Sequence, residues 1–89
     1  MKLKNGVVIT AYGSEHIAVA AGEAAKSFNG MIKMNGTAAF ICEILKNDTT
    51  VDEIVDALCE KYEVDRETAL KSVQNTLETL RNVGLLEDE

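Results

Sequence analysis

Asn29-Gly30-Met31-Ile32-Lys33-Met34-Asn35, followed at once by Gly36-Thr37-Ala38-Ala39-Phe40-Ile41, decides the fold. Met31 to Met34 is a short apolar segment entered through an Asn-Gly turn dipeptide, with Ile32 and Met34 on one face and Met31 and Lys33 on the other. Asn35 is a good helix N-cap, and small residues with Ile41, Ile44 and Leu45 at helical spacing follow it. A strand thus runs into a capped helix with no linker between them.

Upstream, Val7 to Tyr12 is rich in β-branched residues, and Gly13-Ser14 reads as a two-residue hairpin turn. Residues 15–21 alternate, with Ile17, Val19 and Ala21 on one face and His16, Ala18 and Ala20 on the other. The bulkier set reads as the packed face, which makes His16 a solvated surface residue. Residues 22–28 lose the alternation and read as a loop. A meander of three strands over about 7–34 leaves the first and third strands as open edges.

Downstream, the first helix runs from about Gly36 to Lys46. Thr50-Val51-Asp52-Glu53 is a capping box, and Val51, Ile54, Val55, Leu58 and Tyr62 form the inward stripe of a second helix. Asp65 caps a third helix, which carries Leu70, Val73, Leu77 and Leu80 toward the core and stops at Gly84, a residue suited to the left-handed C-terminal position. The tail Glu87-Asp88-Glu89 reads as frayed. The fold class is therefore α+β and winged-helix-like, a three-stranded antiparallel sheet followed by three helices over about 36–83, and residues 1–89 read as one domain with an aliphatic core.

Composition removes several function classes. The net charge is −6 and the pI near 4.7, so phosphate-rich partners, nucleic acid and anionic membranes alike, are disfavoured. No apolar run approaches the roughly 18–20 residues of a membrane span, and no signal-type apolar segment follows the basic start, which implies the cytoplasm. Cys42 and Cys59 are far apart, lack a Cys-x-x-Cys arrangement and lie in apolar helical segments, so they read as reduced core thiols rather than metal ligands. No phosphate loop or dinucleotide fingerprint occurs, and the acids Glu43, Asp52, Glu53, Asp56, Glu60 and Glu63 are spread over helix faces. No residue is a candidate for catalysis, and no cofactor or metal is expected.

Binding remains. The third strand lies at an edge and offers free main-chain groups to which an extended peptide can add. The third helix is the natural second wall of a furrow beside it, with Thr76, Thr79 and Val83 small enough to admit an incoming side chain. A proline at Ile32 is the test this reading suggests. The rival is a winged-helix DNA-binding regulator whose third helix presents Lys71, Gln74, Asn75, Glu78, Arg81 and Asn82, a thin basic balance for phosphate contacts. The open edges also allow pairing into a homodimer.

The order and spacing of several motifs over residues 17–86 resemble the PqqD family, the fold also called the RiPP precursor peptide recognition element. They are Gly22-Glu23, Phe28-Asn29-Gly30-Met31-Ile32, and Met34-Asn35-x-Thr37-Ala38-Ala39-x-Ile41, which fits the family's Leu-Asn-x-x-Ala-x-x-Ile. Thr50 to Val55 with Leu58 and Tyr62, Val73-x-x-x-Leu77-x-x-Leu80, and Gly84-Leu85-Leu86 complete the set. The resemblance implies three strands and three helices without catalysis. It also implies a peptide chaperone that binds the leader of a ribosomally synthesised precursor peptide by strand addition and presents it to a modifying enzyme, commonly a radical S-adenosylmethionine enzyme. Carried onto this chain, the peptide-binding residues are Met31, Ile32, Lys33 and Met34 of the strand, and Val73, Thr76, Thr79, Leu80 and Val83 of the third helix. Met34 replaces the usual Leu before Asn, and Ser72 stands where an Asp commonly precedes the helical Val. Pyrroloquinoline quinone itself is not implied.

Overall fold

The computed structural model describes residues 1–13, 15–22, 24–27 and 30–87. Its elements in chain order are β1 (Lys2–Leu3), β2 (Val7–Tyr12), β3 (Glu15–Ala20), α1 (Ala24–Ser27), β4 (Met31–Met34), α2 (Gly36–Ile44), α3 (Val51–Tyr62), α4 (Arg66–Asn82) and β5 (Leu86–Glu87). The expected meander is β2-β3-β4, antiparallel throughout, with β2 and β4 at its edges, and the three expected helices are α2, α3 and α4. Ser14 and Asn29, on which the two turn assignments rest, and Glu23, Phe28, Asp88 and Glu89 lie outside the described residues.

The helix starts follow from side-chain chemistry. Each of the three caps accepts a hydrogen bond from an otherwise orphaned backbone N–H: Asn35 Oδ1 from Ala38 at 2.8 Å, Thr50 Oγ1 from Glu53 at 3.2 Å, and Asp65 Oδ1 from Thr68 at 2.9 Å. At Thr50 the reciprocal contact differs from the expected box, because the hydroxyl donates to Glu53 Oε1 at 3.2 Å. Arg66, at the start of α4, pairs with Asp56 of α3 and so ties the two helices together on their outer side. Gly84 ends α4 at φ 76°, and Leu85 N–H then bonds back to Leu80 at 2.9 Å.

Two elements were not expected. β1 pairs antiparallel with β5, Lys2 opposite Glu87 and Leu3 opposite Leu86, so Glu87 is part of a ladder rather than frayed. This small ribbon is tied to the end of α2 by Leu3 N–H to Leu45 O, and Lys4 N–H to Leu85 O extends its own ladder, both at 2.9 Å. The other is α1, one turn of helix in the segment read as loop; Ala24 is fully buried and anchors it to the core. Gly6, which joins β1 to β2, has φ 101°, and a Cβ there would lie 2.0 Å from the Ala21 carbonyl oxygen, so only glycine lets the strands approach.

The core is aliphatic, built on Ile41, Leu45, Ile54, Leu58, Val73, Leu77, Leu80 and Leu85 with Cys42 among them. Three placements reverse the sequence reading. Ala18 is 1% exposed while Val19 is 37% exposed, so the packed face of β3 is the one with His16, Ala18 and Ala20. α2 crosses that face closely, and a small residue fits beneath it where a branched one would not. His16 is accordingly half-buried. Ala69 takes the inward place expected for Leu70, and Tyr62 turns outward, meeting Phe40 edge-to-face at 5.9 Å. Both cysteines are free thiols, Cys42 buried and Cys59 half-buried.

Candidate functional site

The chemistry of the β4 edge follows from ladder parity. In antiparallel pairs, successive residues turn their main-chain N–H and C=O alternately toward one neighbour and the other. Ala21 N–H bonds to Gly6 O at 2.9 Å, which makes Gly6 and Ala21 a hydrogen-bonded pair in line with the register of Val7 opposite Ala20. The odd residues of β3 therefore bond to β2, and the even residues, His16 and Ala18, bond to Met34 and Ile32. The main-chain groups of Met31 and Lys33 are left facing the free edge. This moves the informative proline from Ile32, whose N–H serves the existing sheet, to Lys33.

Beside this edge runs a groove of about 270 Å³ between β4 and α4. Ile32 and Met34 supply one wall, and Thr76 and Thr79 the other, with Leu80 in the floor. The three-residue rhythm of Thr76 and Thr79, one turn apart on α4, keeps that wall low. Thr79 Oγ1 donates to Asn75 O at 3.1 Å, so its hydroxyl is satisfied within the helix. Cys42 lies beneath Met34, Sγ to Sδ 3.9 Å. Burial, with a smaller push from Glu43, raises the Cys42 thiol to about 11, so it is protonated and apolar at neutral pH. Lys33 extends outward to Glu15 at 3.7 Å, an exposed pair that adds little stability.

Of the nine residues read from sequence, six line the groove: Ile32, Lys33, Met34, Thr76, Thr79 and Leu80. The other three lie elsewhere. Met31 is 63% exposed on the outer face of the sheet, Val73 is fully buried on the core face of α4, and Val83 packs half-buried at the end of that helix. Asn35, Ala38 and Asn75 also line the groove and were not read as site residues. Asn35 had been spent on its capping role, Asn75 stood on the face assigned to the DNA rival, and Ala38 is the small residue that keeps the end of the groove open.

The site offers apolar walls, a satisfied Thr79 hydroxyl and free main-chain donors and acceptors, a surface suited to an extended peptide. Among the described residues no three His, Cys, Asp or Glu side chains gather to hold a metal ion, and no helix is long and apolar enough to cross a membrane.

Comparison with known proteins bears on this site directly. The family described as Coenzyme PQQ synthesis protein D (PqqD) matches residues 7–86. Among solved structures, the chain is similar to that of TbiB1 in complex with the TbiA(beta) leader peptide, with a TM-score of 0.75 and 27% identity over 100% of this chain and 98% of the other. It also shares its fold with a lasso peptide synthetase B1 complexed with the leader peptide, at TM-score 0.71 and 17% identity over 98% of this chain and 96% of the other. No curated protein matches the sequence. With the strand, the capped helices and the Gly-Leu-Leu ending all inside the matched range, this chain belongs to the PqqD family.

Proposed function

We propose that this protein is a non-catalytic peptide chaperone. It binds the leader of a ribosomally synthesised precursor peptide as a further strand on β4 and presents that precursor to a modifying enzyme. The observation that carries the reading is the free β4 edge with an apolar groove at its side. Family membership and the similarity to two chains solved with leader peptides support it. Main-chain groups of Met31 and Lys33 pair with the leader, which gives affinity with little demand on sequence. Alternate leader side chains enter the groove between Ile32 and Met34 on one side and Thr76, Thr79 and Leu80 on the other, which gives selectivity. Val73 and Val83 act from below, holding α4 at the height the groove needs.

The protein's contribution to the reaction is positional. A leader held on β4 brings its own core segment to an enzyme docked on the same chaperone at a raised effective concentration. The family resemblance implies a radical S-adenosylmethionine enzyme as the recipient, and the name of one neighbour, a lasso peptide synthetase B1, suggests an enzyme of lasso-peptide assembly; reconstitution with each decides between them. The reading sets the protein in the cytoplasm, where ribosomes supply the precursor.

The test is an amide NMR titration of the labelled chain with the leader half of a short peptide encoded beside it. Shifts clustered on β4 and the groove face of α4 are expected. Undisturbed β4 resonances with leader, together with α4 shifts on adding duplex DNA, would overturn the proposal in favour of a regulator.

A further inference from the structure

The opposite edge of the sheet has the same construction with different chemistry. β2 reads Val7-Val8-Ile9-Thr10-Ala11-Tyr12, six residues without a charge or a proline. Edge strands usually carry a lysine, a proline or a bulge that discourages pairing, and β4 does carry Lys33. By the parity derived above, the even residues of β2 bond to β3, and the main-chain groups of Val7, Ile9 and Ala11 face outward. Beneath this edge lies a second groove, of about 390 Å³, lined by Ile9, Ala11, His16, Phe40, Lys61 and Tyr62 among others.

The groove combines an aromatic wall with a lysine ammonium that lies over it. Phe40 and Tyr62 stand edge-to-face, and Lys61 Nζ lies 4.7 Å from the centre of the Phe40 ring and 5.7 Å from that of Tyr62. Among the described residues no carboxylate is within ion-pair distance of Lys61, and the His16 ring makes no hydrogen bond, although the chain carries a charge of −6. Glu43, which also lines the groove, is paired with Lys46 at 3.2 Å.

We propose that the β2 edge and this groove form a second strand-pairing site, occupied by an extended segment of the modifying enzyme that brings one carboxylate and one large apolar side chain inward. The inference rests on the peptide-presenting function proposed above. The carboxylate meets Lys61 and the His16 ring, and the apolar side chain meets the Phe40–Tyr62 wall. A second copy of this chain is the poorer occupant on charge. Its own β2 turns Val7, Ile9 and Ala11 inward, supplies no carboxylate and brings a second Lys61 close to the first. Use of both edges keeps the two partners apart, with the enzyme strand and the leader four strand spacings, about 19 Å, from one another. Both therefore bind at once, as presentation requires.

The test uses the full labelled chain and the peptide acetyl-Thr-Phe-Thr-Glu-Thr-Val-Thr-amide at millimolar concentration, with a control in which Lys replaces Glu. The acidic peptide should shift Val7 to Ala11, Lys61 and Tyr62 and bind about tenfold more tightly than the basic one, a preference that Lys61→Glu should invert. Ala11→Pro, which removes an outward N–H and no ladder bond, should abolish the shifts on β2 while leader-induced shifts on β4 persist. In the reconstituted system the same variant should raise the enzyme's KM for the precursor with leader affinity unchanged. Shifts on β4 alone, indifference to the sign of charge, or an unchanged KM would overturn the inference while leaving the leader site standing. β2 shifts that depend on protein concentration without peptide would overturn it in favour of self-pairing.

Discussion

Lys33→Pro separates peptide pairing from folding more cleanly than any other single change. Lys33 sits in the middle of β4, opposite Ile17, with its main-chain groups toward the free edge and its side chain exposed. Proline there removes no bond of the β3–β4 ladder, and an edge position with an outward N–H is where a sheet tolerates it. The residue before it, Ile32, is restricted to extended conformations that it already occupies. The cost to folding should thus stay within about 1–2 kcal/mol, from the fixed φ and the lost exposed ion pair with Glu15.

The cost to binding should be larger. A strand added to β4 bonds through Met31 and Lys33; proline deletes one donor outright and its ring crowds the neighbouring bond. Two bonds at about 1 kcal/mol each lower the affinity roughly 30-fold, and desolvated leader groups left without partners add to this. Calorimetric titration with leader, beside a thermal melt of the same sample, reads both numbers. Lys33→Ala, which keeps the N–H, should bind within about twofold of the parent because its side chain is exposed. Ile32→Pro should fail for a different reason, since it breaks a ladder bond to Ala18 and removes a groove wall. A folded Lys33→Pro protein that binds leader as the parent does would refute the pairing geometry.

Other outcomes follow from the same structure. Thr79→Trp places an indole in a groove of about 270 Å³ from an exposed helix position, and should weaken leader binding at least tenfold while leaving the melt nearly unchanged. A thiol reagent at pH 8 should label half-buried Cys59 readily and Cys42 only as the core opens, because burial raises the Cys42 thiol to about 11; equal labelling rates would contradict its placement. Asp65 has its carboxyl held below the usual value of 3.8 by the hydrogen bond from Thr68. A depressed folded-state value means its contribution is complete above the unfolded value and is lost as pH falls through the folded one, so Asp65→Asn should flatten the acid limb of stability below about pH 4.

Much of this fold could be read from the chain because its signals are local. Asn35, Thr50 and Asp65 mark helix starts by bonding three residues ahead, and the β-branched run from Val7 to Tyr12 forms a strand. β1 and β5 could not be read that way: two residues carry no period, and Leu3 finds Leu86 across nearly the whole chain. The inverted face of β3 shows the limit of ranking faces by bulk. Ala18 is inside because α2 lies close over it, a fact that belongs to packing and not to the strand's own sequence. Leu70 and Tyr62 stand outside for a related reason, since each sits at the border of an apolar stripe where a small rotation of the helix decides burial.

The groove was legible in outline. Connectivity pointed to the third strand as an edge and to the last helix as its companion, and six of the residues named from sequence do line one groove. What sequence left open was which backbone groups are free, because parity is fixed by the bond from Ala21 to Gly6, a tertiary contact. Val73 came to the groove through the family resemblance, yet its helical period runs through the core, where it is fully buried.

The most direct test of strand addition is amide hydrogen exchange, residue by residue, with and without saturating leader. Pairing on β4 predicts that the Met31 and Lys33 amides slow markedly on binding while those of Ile32 and Met34, already bonded to β3, change little. Tight leader binding that leaves Met31 and Lys33 exchanging as in the free protein would contradict the account.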